Sequence, residues 1–120
     1  MIPPIPRQLL TQTAVVAACT GTDKWKEQTT VTHTVRHVHL QDSNAVRKTA
    51  ANTEVVLRAI LYVDARRSTP ALDWRVLLRT AQATGGDVKV TIGNTTYTVE
   101  TVDTLPDDHG RLHHFEVGMT

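Results

Sequence analysis

The chain has 120 residues and a mass of 13.3 kDa, enough for one domain around one modest core and too little for two catalytic domains. Thirteen Lys and Arg stand against twelve Asp and Glu with no block of like charge, which excludes a polybasic tail that clamps nucleic acid. A single cysteine, Cys19, excludes an internal disulfide and a Cys-rich zinc site, and no apolar run reaches the ~18 residues of a membrane span. The chain holds 20 Thr, 15 Val and 4 Ile but only five aromatic residues, and this β-branched excess predicts a mostly-β domain.

Residues 1–10 read as an extended arm in which Ile2 and Ile5 flank prolines and Leu9 and Leu10 follow. Such an arm either stays free or docks elsewhere. Residues 11–120 then form a single domain. Thr13 to Ala18 is a first strand, and Gly21 to Glu27 is a polar turn carrying Trp25, read as a loop anchor or an interface anchor. Thr29 to Gln41 alternates, with Val31, His33, Val35, His37 and His39 on one face and Val38 and Leu40 on the other. Residues 41–53 lose all hydrophobic period and read as a long loop or loose hairpin before an apolar strand from Glu54 to Val63.

Arg66 to Pro70 is a turn. Asp73 to Ala83 is the best helix candidate, with Asp73 as cap and Gly85 and Gly86 as stop, while a strand over Trp74 to Leu78 competes with it. Asp87 to Ile92, the Gly93-Asn94 turn and Thr95 to Val102 make the clearest hairpin, and Leu112 to Met119 is a last strand.

Alternation places His37 and His39 about 6.6 Å apart on one face, a spacing that suits an ion, but no further ligand pattern accompanies them. Ser43 and Ser68 lack a nucleophile elbow, Cys19 lacks a thiolate-stabilising setting, and Gly85-Gly86-Asp87 leads into a strand rather than a phosphate-cradling helix. The expectation is therefore a non-enzyme without cofactor or metal. Two basic pairs remain, Arg47-Lys48 and Arg66-Arg67, each weak on a monomer and additive when copies surround an axis.

Four phrases in chain order, MIPPIPRQLL, ILYVDARRSTP, GGDVKVTIGNTTYTVETVDTL and GRLHHFEVGM, span nearly the whole length. Together they resemble the minor capsid proteins of tailed-phage and prophage morphogenesis clusters, a family similar in role to the head-closure or stopper proteins of siphophage necks. The resemblance implies a small β-barrel or sandwich with one short helix and an extended N-terminal arm. It implies a virion protein, made in the bacterial cytoplasm, that forms a six-fold or twelve-fold ring with itself below the portal and adaptor. That ring would retain packaged double-stranded DNA and meet a tail terminator or tail-completion protein, with no membrane partner. On this reading Asn44, Arg47 and Lys48 of the long loop face the channel, Arg66 and Arg67 are the alternative basic turn, and Ile2, Ile5 and Leu9 belong to an assembly arm. The rival readings are another neck component, either adaptor or tail-completion protein, and a small β binding module outside the virion.

Overall fold

The β-branched segments form strands wherever they find a partner, and a computed structural model describes them over residues 5–22, 28–49 and 51–120. Ile2 and Trp25 lie outside the described residues. After a 3-10 turn at Arg7–Leu9 come β1 (Gln12–Thr22), β2 (Gln28–Asp42), β3 (Val46–Lys48), β4 (Glu54–Val56) and β5 (Ala59–Asp64). Helix α1 (Trp74–Ala83), β6 (Val88–Ile92), β7 (Thr95–Pro106) and β8 (Leu112–Met119) complete the chain. Six strands close into an antiparallel barrel in the order β1-β2-β5-β8-β7-β6, with β6 returning to β1, while β3 and β4 form a separate two-stranded sheet. The fold is a barrel, not a sandwich.

Inward side chains alternate along each strand and fill the barrel: Ala14, Val16 and Ala18 from β1, Leu61 and Val63 from β5, Val88 and Val90 from β6, Phe115, Val117 and Met119 from β8. Helix α1 packs against β1, β6 and β7, and its buried Trp74 and Ala81 join the same apolar cluster, so the helix covers one end of the barrel. The Asp73 carboxylate accepts from the amides of Arg75 at 3.1 Å and Val76 at 3.2 Å, satisfying donors that the first helical turn leaves open. Gly85, at φ +75°, ends the helix in the left-handed conformation that glycine tolerates best. The strand alternative for Trp74 to Leu78 is thereby settled in favour of the helix.

Alternation along β2 does not hold as the sequence predicts. Gln12 pairs with Val38 and Thr13 with Arg36, so His37, at φ +62°, is an extra residue in a β-bulge. Val35 before the bulge and Val38 after it both face the core and are fully buried. Consequently His39, next to the inward Val38, does not share the face of Val35 as strict alternation predicts. A second bulge at Glu100, between the pairs Val99–Met119 and Thr101–Gly118, turns Thr101 outward and returns Val102 to the interior.

Of the loop and the loose hairpin open to residues 41–53 the structure takes the hairpin: β2 continues to Asp42, and β3 pairs with β4 in the register Val46–Val56, Arg47–Val55 and Lys48–Glu54. The ribbon continuing from β2 and β5 bends where Ser43 donates to the Arg58 carbonyl at 2.9 Å and Leu57 donates to the Ala45 carbonyl at 2.9 Å. The strand predicted over Glu54 to Val63 is split there because Leu57 turns inward and is buried outside the main core, against Gly118. Neighbours Val117 and Met119 point into the barrel, so Gly118 presents its bare backbone on the outer wall, where Leu57 seats.

A Cβ at Gly118 would collide with the Thr101 hydroxyl and lie 2.8 Å from Leu57 Cδ1. Gly118→Ala is expected to push Leu57 and the hairpin base off the wall and to cost about 1–3 kcal/mol in urea unfolding. An unchanged midpoint would show that the hairpin base is not seated there.

Candidate functional site

Three segments that the sequence singled out, the arm, the turn with Arg66 and Arg67, and residues 41–53, which fall largely in the 43–58 hairpin, meet the barrel wall at different places. The first two meet each other. Asp64 ends β5 facing outward, yet it is only 1 % exposed because the arm and the following turn cover it. Its Oδ2 accepts from the Ile5 amide at 2.7 Å, and its Oδ1 from the amides of Arg66 at 2.8 Å and Arg67 at 2.9 Å. Ser68 Oγ accepts from the Asp64 amide at 2.8 Å and donates to the carbonyl of the bulged His37 at 2.5 Å. Thr69 and Arg36 exchange backbone hydrogen bonds beside it, so the turn is joined to β2.

Of the two courses open to the arm, residues 5–10 take docking, and they dock on their own barrel with Leu10 buried and Leu9 half exposed. Arg67 is drawn into this junction, its Nη1 donating to the Ile5 carbonyl at 3.3 Å. Arg66 lies 3.9 Å from the Asp107 carboxylate. Both residues of the alternative basic turn therefore have partners inside the chain. The sequence reading missed Asp64 and Ser68; their signal is an Asp followed by a short polar turn ending in Ser, the pattern of side chains that bond nearby backbone amides.

The hairpin pair behaves differently. Successive strand residues point to opposite sides, so Arg47 and Lys48 diverge instead of facing one phosphate together. Arg47 is half-buried on the side of Tyr62, with Nη1 donating to the Val46 carbonyl at 3.2 Å, while Lys48 is exposed and faces α1 across a cleft. Asn44 is exposed in the link between β2 and β3. On the Lys48 face of the hairpin Val46 and Val56 pair in register and are 53 % and 61 % exposed, an apolar contact left to solvent.

Beneath the hairpin runs a row of rings. His39 lies 5.9 Å from Tyr62, Tyr62 lies 6.0 Å from His114, and His114 Nε2 is 3.1 Å from Glu116. Burial raises the Tyr62 pKa, the Glu116 charge adds to that, and the Arg47 charge opposes it. Among the described residues no three His, Cys, Asp or Glu side chains come together to hold a metal ion. No helix of the described residues is long and apolar enough to cross a membrane.

No family model matches the chain, and no curated protein or solved structure matches it. What the geometry defines is a class: a closed six-stranded β-barrel with a docked terminal segment and an appended hairpin.

Two outcomes follow from these contacts. Asp64→Ala leaves three backbone amides without their acceptor and is expected to cost about 2–4 kcal/mol in urea unfolding, and removing residues 1–6 from the wild type should lower the melting temperature as well. A truncation that melts like the full chain would show the arm to be dispensable for the fold. Asp107 supplies a pH dependence: the His109 amide donating to its Oδ1 at 2.8 Å holds its carboxyl below the ordinary 3.8, and the Arg111 amide and the His109 and Arg66 charges add to this against a smaller opposing effect of burial. Because the folded pKa lies below the unfolded one, the stabilisation is present above 3.8 and is lost as pH falls through the lower folded value. Urea midpoints measured down to about pH 3 should fall less steeply for Asp107→Asn than for wild type, and parallel curves would remove Asp107 from the acid response.

Proposed function

We propose that this chain is a structural subunit of a phage neck, a head-closure or head-to-tail connector protein. It assembles as a six-fold or twelve-fold ring below the portal and adaptor, keeps packaged double-stranded DNA in the head and offers a surface to the tail terminator or tail-completion protein. The observation that carries this reading is the hairpin of residues 43–58, which leaves the closed barrel as a sheet of its own. A closed barrel has no free sheet edges along its wall and makes a rigid ring segment; an appended hairpin is the part able to reach an axis or a neighbour. The exposed Val46–Val56 pair gives it an apolar surface for such a contact. The four sequence phrases that resemble phage minor capsid proteins supply the virion context.

The reading is tested by replacing residues 46–56 with a short Gly-Ser link, which leaves the Ser43–Arg58 and Ala45–Leu57 contacts in place. The expected particles assemble heads and package DNA but lose it on storage and bind tails poorly. Particles that hold their genome and attach tails at the wild-type level would take the closure role away from the hairpin.

A further inference from the structure

Helix α1 carries two arginines and no carboxylate. Arg75 and Arg79 are exposed and four residues apart, so they lie on one side of the helix about 6 Å apart along its axis. Like charges at this spacing repel, and nothing on the helix offsets them. Across a cleft of about 340 Å³ stands Lys48 of the hairpin, with Glu100 and Asp103 of β7 also lining it. Arg75 lines a neighbouring cleft too, with Asp73, Pro106 and Gly110, so the basic row ends at Arg75 beside the helix cap. Among the described residues Lys48, Arg75 and Arg79 take part in no ion pair, whereas Arg66 reaches Asp107 and Lys89 reaches Asp87.

We propose that Arg75, Arg79 and Lys48 form an edge that binds the phosphodiester backbone of double-stranded DNA. The guanidinium fork matches a phosphate with two parallel donors, and the 6 Å step between the arginines is close to twice the ~3.4 Å rise per phosphate along one DNA strand. Glu100, held by the Thr120 hydroxyl at 3.1 Å, and Asp103 line the cleft on the β7 side and repel an anion from it. A small free anion sealed inside the cleft is therefore disfavoured, and a polyanion lying along the rim is favoured. The inference deepens the neck reading by naming the side chains that meet DNA, and it is tested without particles.

The full-length protein is titrated onto a fluorescent DNA duplex at low salt, with anisotropy as the readout. Arg75→Gln/Arg79→Gln should bind about tenfold more weakly and lower the slope of log affinity against log salt by about two, equally for unrelated DNA sequences. Arg75→Lys/Arg79→Lys, folded by circular dichroism like the Gln variant, should keep the wild-type slope. Wild-type affinity and slope in the Gln variant would overturn the proposal, as would absence of wild-type binding at low salt. Displacement by polyglutamate as readily as by unlabelled duplex at equal charge would also overturn it, assigning the edge to an acidic protein segment. If the Gln variant loses DNA while hairpin-deleted particles keep their genome, the edge stands and the closure role falls; the opposite pair of results removes the edge alone.

Discussion

A carboxylate taken out of water has to be surrounded by donors, and Asp64 is surrounded by the backbone. Its two oxygens gather the amides of Ile5, Arg66 and Arg67, residues from both sides of the barrel strand it ends. Through Ser68 the same junction fixes the carbonyl of His37, where β2 carries its extra residue. The start of the chain, the exit from β5 and the irregularity of β2 are thus held by one group. The chain then crosses to Asp73, which starts the helix that covers the barrel end.

That dependence explains why the two basic pairs, equivalent as sequence, differ in the fold. Arg66 and Arg67 sit in a turn whose amides are already committed, and their side chains complete the junction. Arg47 and Lys48 sit on a strand whose alternation sends one toward Tyr62 and the other toward α1. The free positive charge of this region is therefore shared between two elements far apart in the chain, the hairpin and the helix. It is visible only when they are brought face to face.

Most of the barrel is legible from its residues. The Gly93-Asn94 turn, the last strand from Leu112 to Met119 and the Asp73-capped helix lie where their local signals put them, because turn chemistry and capping act over a few residues. The bulges at His37 and Glu100 leave no such signal, since one additional residue changes which side chains face inward without changing composition. Short β3 leaves no signal for a related reason: a three-residue strand has no period, and only its pairing with β4, the start of the strand read over Glu54 to Val63, defines it. The arginines of α1 carry no local signal of their own, and no spacing in the sequence joins them to Lys48.

The extra residue in β2 ties that strand to the turn after β5. Val35 and Val38 lie three positions apart, and both are buried because His37 takes no partner in the pairing with β1. Loss of His37 would leave the two valines two positions apart and still on one face in strict alternation, so their burial alone does not require the extra residue, and what the deletion removes is the carbonyl that Ser68 holds. Among sequences that share this barrel, the extra residue in β2 is therefore expected to go with a side chain after β5 that can hold its carbonyl, as Ser68 does.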